Sequence, residues 1–218
     1  MTIRLTARLV AALLALGLAG CTGSLLQSDA PVAATYRLAM PAAAATPPDA
    51  ALPLALVVQR PRAPAALDTE RVAVSAAGNR FNYYSAARWA EPAPQMVQQL
   101  LVGALSATGQ FGGGVFAAPA RVPVELLLDV ELRRFESVTT SADAAASGAA
   151  PTVHVQVQAS LIDSRRGTRI TSFVSAAAVP ATANRLASVV AAFDQASTQV
   201  ISEVVARVQA AVAALPTP

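Results

Sequence analysis

Lysine is absent from the 218 residues, cysteine, histidine and tryptophan occur once each, and aromatic residues make up only 5%. Each scarcity narrows the chemistry. One cysteine, Cys21, allows no internal disulfide. One histidine, His154, makes no zinc site alone, and no second ligand is spaced to join it. It stands among glutamines on the polar side of an alternating stretch, so a solvated imidazole is a better reading than a triad base. The glycine-rich run Gly109-Gln110-Phe111-Gly112-Gly113-Gly114 lacks the Lys-Ser or Lys-Thr that completes a phosphate loop. These patterns point to no enzyme and call for no cofactor or metal. The formal charge of +3 invites a nucleic-acid reading. Of the 16 basic residues, Arg4 and Arg8 lie in the leader, and the other 14 face 13 acids without forming a stripe. No nucleic-acid partner is expected.

What is present begins with that leader. Arg4 and Arg8 precede an apolar run over residues 9–20 that ends in Leu18-Ala19-Gly20, followed by Cys21. A positive start, an apolar core and a small-residue exit make a secretory signal. The run is 12 residues long, and a bilayer span takes about 20. A thiol directly after the exit marks a lipoprotein signal, with cleavage between Gly20 and Cys21 and acyl chains carried by Cys21. One chain holds only marginally at about 0.8 kcal/mol per buried methylene, so two or three are expected to anchor stably. Thr22, rather than an aspartate, follows the cysteine. That leans the expected anchor towards the outer membrane, facing the periplasm, with the periplasmic face of the inner membrane as the alternative.

The expected organisation is a signal peptide over 1–20, a lipidated N-terminus and Ala/Pro-rich tether over 21–53, and one α/β domain over 54–214. Pro41, Pro47, Pro48 and Pro53 belong to the tether, whose composition cannot bury a core. One interruption, Thr35 to Leu38, alternates like a short strand. Leu54 to Arg60 reads as a buried strand. Arg71 to Ser75 and Arg80 to Tyr84 read as a hairpin around Gly78 and Asn79. Pro92 opens a helix whose apolar face includes Met96, Val97, Leu100, Leu101 and Leu105, with Gly109 as its stop. A strand is expected to start near Val115. Strict alternation then predicts a strand from Val122 to Arg133 with its even positions inward, and one from Val153 to Leu161 with its odd positions inward. Between them, residues 139–151 read as a loop. A further strand runs from Arg169 to Ala178, and an amphipathic helix from about Asn184 to Ala214 closes the chain. The fold class is therefore α/β: a mixed, largely antiparallel sheet packed with two main amphipathic helices.

One cluster stands out against the scarcity of aromatics. Phe81, Tyr83, Tyr84, Arg88 and Trp89 include the only tryptophan and two of the three tyrosines. Two readings stand side by side. Trp89 packs under the first helix, or Tyr83, Tyr84, Arg88 and Trp89 face a partner, since Tyr, Trp and Arg are common interface anchors. Glu125, Asp129 and Glu131 share a strand face near Arg133 and Arg134, and a solvated charged face explains them better than paired catalytic carboxylates.

The order of these features resembles the ABC-type transport auxiliary lipoproteins, the PqiC-like family associated with MCE systems. The resemblance runs through Cys21, Tyr36-Arg37-Leu38, the strand from Leu54 to Pro61, the stretch RFNYYSAARWAEPAPQMVQQLL, then VELLLDVELRRFE, VHVQVQASLID and the closing helix. It implies a non-catalytic periplasmic component of an MCE-type ABC system that moves phospholipids or other hydrophobic molecules between the two membranes. An MCE-domain protein and a permease/ATPase complex are the implied partners, beside the membrane itself. A homo-oligomer would make docking multivalent, and no sequence feature shows one. Two other readings stay open, a structural lipoprotein assisting an outer-membrane assembly and a lipid-binding carrier. The carrier requires an apolar cavity between sheet and helices.

Overall fold

One long strand organises the molecule. The computed structural model describes residues 33–40, 51–76, 80–139 and 148–215, all within the larger of the chain's two units, Ala33–Pro218. The expected signal, Gly20 and Cys21 lie outside the described residues, as does the expected hairpin turn at 77–79. Along the chain come β1 (Ala34–Tyr36), β2 (Leu56–Val58), β3 (Arg71–Ala76), β4 (Arg80–Trp89), α1 (Ala93–Ala107), β5 (Val115–Ala117), β6 (Leu126–Thr139), β7 (Thr152–Asp163), β8 (Thr168–Pro180) and α2 (Leu186–Ala213). The strands form one mixed sheet.

β6 pairs antiparallel with β7 along one edge, and β7 pairs antiparallel with β8. On its other edge β6 takes two partners in succession, both parallel. Leu126 to Leu128 pair with β2, and Ser137 to Thr139 pair with β3. β5 lies parallel outside β2, while β4 lies antiparallel outside β3 and carries β1 parallel on its far end. The long ladders are thus antiparallel and the short ones mostly parallel. The fold class is as expected.

The alternation in β6 and β7 translates directly into burial. Leu126, Leu128, Val130 and Leu132 point inward, as do Val153, Val155, Val157, Ala159 and Leu161. The inward parity of β6 then changes. Its pairing with β7 shifts between Leu132 and Arg134, leaving Arg133 as an extra residue, and beyond it Phe135 and Ser137 are the buried ones. An extra residue on one strand is a β-bulge, which bends the strand and raises its twist. It also carries β6 on to Thr139, past the end expected at Arg133.

Both helices cover the inward face. α2 contributes Val189, Val190, Phe193, Val200, Ile201, Val204 and Val208, and α1 contributes Met96, Val97, Leu100, Leu101 and Leu105. α1 ends at Thr108, just before Gly109, with the Thr108 hydroxyl donating to the Leu105 carbonyl at 2.7 Å. Gln98 is a polar exception on the buried face of α1. Its amide donates to the carbonyls of Val58 at 2.9 Å and Ala118 at 3.3 Å, which fastens the helix across β2. A buried polar group held this way escapes the cost of an unmade hydrogen bond.

The folded unit starts earlier than Leu54. β1 lies inside the span expected to be tether, with Ala34, Thr35 and Tyr36 in register against Ala87, Arg88 and Trp89. Leu38 is buried just after it, and the Ala39 amide donates to Asp194 Oδ1 on α2 at 2.8 Å. The alternation from Thr35 to Leu38 points to a short strand inside this span, and the structure places it at Ala34–Tyr36.

Candidate functional site

The β3–β4 hairpin holds the aromatic stretch, and the structure divides it. Trp89 has no exposed surface. Its ring centroid lies 5.1 Å from that of Phe193 on α2 and 5.6 Å from that of Phe135 on β6, and the last two are 4.9 Å apart. Trp89 therefore belongs to the core under the closing helix and is withdrawn from the proposed partner surface. Its aromatic partners sit on β6 and α2 rather than on the first helix.

The reason is again a change of parity. Arg71 pairs with Arg88 and Ala73 with Tyr83, so two steps along β3 are matched by five along β4. Tyr83 and Trp89 would share a face of a regular strand. Across this irregularity they point to opposite faces. Tyr84 also leaves the surface in part, since its hydroxyl lies 3.0 Å from the hydroxyl of the buried Ser137.

What remains outside is a compact arginine–aromatic face. Phe81, 37% exposed, meets Tyr83 edge-on at 5.5 Å. The Arg71 guanidinium stacks 3.7 Å over the Tyr83 ring, a cation–π arrangement. The Tyr83 hydroxyl donates to the Ala66 carbonyl at 3.0 Å, which fixes the ring. Arg88 donates from Nε to Thr35 Oγ1 at 3.2 Å and stands 4.0 Å from Glu70. Arg80, at the start of β4, is exposed.

Further along the same outer face, β6 and β7 carry a polar row. Ser75 donates to Glu136, which is also paired with Arg134 at 2.8 Å. Arg134 Nη1 lies 3.3 Å from His154 Nδ1. Partial burial and the neighbouring Arg134 charge hold the His154 pKa below its ordinary value, against the opposing pull of Glu136. This neutral imidazole accepts from an arginine. Among the described residues, no group of three or more His, Cys, Asp or Glu side chains comes together to hold a metal ion.

Glu125 is more than part of a solvated charged face. The Ala55 amide donates to its Oε2 at 2.9 Å and Arg165 to its Oε1 at 2.7 Å. That places one carboxylate across the start of β2 and the β7–β8 turn. The backbone hydrogen bond from Ala55, reinforced by Arg165, holds its pKa below the ordinary range. Asp129 pairs with Arg62 at 2.9 Å, and Glu131 with Arg133 at 3.5 Å.

Among the described residues, two larger grooves indent the surface. One, of about 520 Å³, lies along Val57, Gln59, Pro119, Val122 and Leu127. The other, of about 490 Å³, runs between Leu38, Met40, Met96, Gln99 and Leu100. The layer between sheet and helices, where a lipid carrier would hold acyl chains, is occupied by Trp89, Phe135, Phe193, Leu101, Leu132 and Ile201, all fully buried. No helix among the described residues is long and apolar enough to cross a membrane.

Comparison with known proteins accords with this architecture. The family model described as ABC-type transport auxiliary lipoprotein component matches residues 36–205. The crystal structure of protein XCC0632 from Xanthomonas campestris, of the family DUF330, is 27% identical with a TM-score of 0.70, over 83% of this chain and 97% of that one. A second solved structure, of an uncharacterized protein, is 15% identical with a TM-score of 0.58, over 81% of this chain and 99% of its own. The hypothetical protein CT253 from Chlamydia trachomatis is 10% identical with a TM-score of 0.50, over 75% and 100% of the two chains. The last two share the fold alone. No curated protein matches.

Proposed function

We propose, for a chain that belongs to the ABC-type transport auxiliary lipoprotein component family, a non-catalytic role in an MCE-type ABC system that moves phospholipids or other hydrophobic molecules between the inner and outer membranes. The observation that carries this reading is the family match, which runs from Tyr36, the last residue of β1, to Val205 in α2 and so takes in β2 to β8 and all of α1. In this role the domain is held at the outer membrane by acyl chains on Cys21 and faces the periplasm. ATP hydrolysis belongs to a separate subunit.

The filled layer between sheet and helices favours an accessory that positions other components over a carrier that swallows its lipid. The experiment is an affinity pull-down of the acylated, full-length protein from its own membranes, with proteins and lipids identified by mass spectrometry. An MCE-domain protein with a permease and ATPase is the expected yield. A β-barrel or envelope scaffold recovered without them would overturn the transport role in favour of a structural lipoprotein.

A further inference from the structure

We propose that the outer face of the β3–β4 hairpin, formed by Phe81, Tyr83, Arg71 and Arg88 with Arg80 at its end, rests on the anionic lipid surface in which Cys21 is anchored. This rests on the lipoprotein reading of Cys21 proposed above.

The direction of the chain is the first support. β1 runs parallel to β4, with Ala34 opposite Ala87. β4 itself runs from Arg80 towards Trp89. β1 therefore begins, at Ala34, at its end nearer the Arg80 end of the hairpin. Reach is the second. Ala33 lies twelve residues after Cys21. Twelve residues cannot reach further than about 43 Å. From Arg88 back to Arg80 the hairpin is matched by the five steps of β3 from Arg71 to Ala76, and so projects roughly 17 Å at about 3.3 Å per residue. A domain held this closely brings the end of its hairpin to the membrane surface without straining the tether. Had the tether extended to residue 53, as its composition suggested, the anchor would have placed no such restriction.

The chemistry of the face is the third. Arg71, Arg80 and Arg88 are all exposed, and Glu70 lies 4.0 Å from Arg88. Glu136, further into the sheet, is already held by Arg134 and Ser75. Phe81 is among the few large apolar side chains exposed in the described residues. Arginines beside an aromatic ring suit the boundary between phosphate headgroups and acyl chains. Each arginine near an anionic surface contributes on the order of a fivefold gain in occupancy, which falls away with salt.

The test uses the full-length acylated protein carrying Phe81→Cys, on the same face as Tyr83. Acylation consumes the Cys21 thiol, so the introduced cysteine is the only free one. It is labelled with a nitrobenzoxadiazole fluorophore in vesicles of phosphatidylcholine with and without phosphatidylglycerol. Ser172→Cys, on β8 at the far side of the sheet, is the reference. Quenching by spin-labelled lipid should be strong at position 81 and weak at 172, and stronger when phosphatidylglycerol is present. Adding Arg80→Gln should reduce the effect of phosphatidylglycerol about fivefold, and Arg71→Gln with Arg80→Gln tenfold or more. Equal quenching at 81 and 172 would overturn the proposal while leaving the anchor intact. So would a label at 81 that ignores lipid in vesicles but is shielded in native membranes, which would assign the face to a protein partner. Mass spectrometry of the Cys21 peptide separates the two levels, because a peptide without acyl chains removes the lipoprotein reading and this inference together.

Discussion

Replacing Trp89 by alanine removes an indole enclosed between Phe135 and Phe193. Truncating a large aromatic in a core costs about 3–5 kcal/mol through lost burial and the cavity left behind. Two ring–ring contacts, each worth about 0.5–1.5 kcal/mol, place Trp89→Ala towards the upper part of that range. A loss of about 4 kcal/mol is a large share of the roughly 5–15 kcal/mol that holds a domain together. Phenylalanine is a different perturbation. The indole Nε1 is buried and has no acceptor among the described residues. An unpaired buried donor costs about 1–3 kcal/mol. Trp89→Phe gives up part of the ring but also that donor, so the two effects offset, and the variant should lie within about 2 kcal/mol of the natural protein. Urea denaturation followed by far-ultraviolet circular dichroism separates the cases, since both variants remove the only tryptophan and its fluorescence. With a slope of about 2 kcal/mol per molar urea, Trp89→Ala should lower the midpoint by roughly 2 M and Trp89→Phe by less than about 1 M. Equal losses would refute the idea that the indole N–H is unpaired. An alanine variant within about 1 kcal/mol would refute the placement of Trp89 in the core.

Three other perturbations test the scaffold. Glu125→Gln should cost about 1–2 kcal/mol by weakening the bonds from Ala55 and Arg165. Because the folded protein holds this carboxyl below its ordinary pKa, its contribution is complete above about pH 4.5 and fades as pH falls through the lower folded value. Denaturation midpoints should therefore fall less steeply with acid in the variant than in the natural protein. His154 titrates with the opposite chemistry, since burial first and Arg134 second favour its neutral form. Stability tied to it is complete above the ordinary value of 6.5 and declines as pH drops from there towards the lower folded pKa. Its resonance, the only histidine signal in the spectrum, should show a midpoint below 6.5 by nuclear magnetic resonance. Two glycines should differ for separate reasons. A Cβ at Gly113 would lie 2.8 Å from the Ala55 nitrogen and the Leu54 carbonyl carbon, so Gly113→Ala forces backbone apart and should cost about 2–3 kcal/mol by thermal denaturation. Gly167 has φ +63° and open space around it, so Gly167→Ala should cost only about 1 kcal/mol.

Period-two and period-3.6 patterns were legible wherever one face was buried over a long stretch. Val153 to Leu161 and the stripe from Val189 to Val208 gave their inward faces without ambiguity. The boundaries that failed share a cause: they are set by pairing rather than by the residues concerned. β1 falls where the alternation from Thr35 to Leu38 points to a strand, but its bounds, Ala34–Tyr36, are set by the edge that Ala87 to Trp89 offer. The second half of β6 is a strand because β3 and β7 flank it, although Ser137, Val138 and Thr139 carry no alternation that announces it.

The same cause divides the residues gathered into the candidate surface. Residue type alone gathered Tyr83, Tyr84, Arg88 and Trp89 into one patch. Whether neighbours in a strand share a face depends on regular pairing, and β4 is irregular against β3 between Tyr83 and Arg88. That irregularity sends Trp89 inward to Phe135 and Phe193 while Phe81 and Tyr83 stay outside, Tyr83 beneath Arg71. A regular β4 would have to leave Trp89 outside with Tyr83 or bury Tyr83 with it. The three extra residues let one short hairpin supply both the central ring of the core and an arginine–aromatic face. The rigidity of that face then follows from the core beneath it. The strand that presents Phe81 and Tyr83 is held at its far end by a tryptophan that cannot move without opening the contact between β6 and α2. Loosening Trp89 should accordingly weaken the hairpin's outer contacts even though none of its atoms reaches the surface.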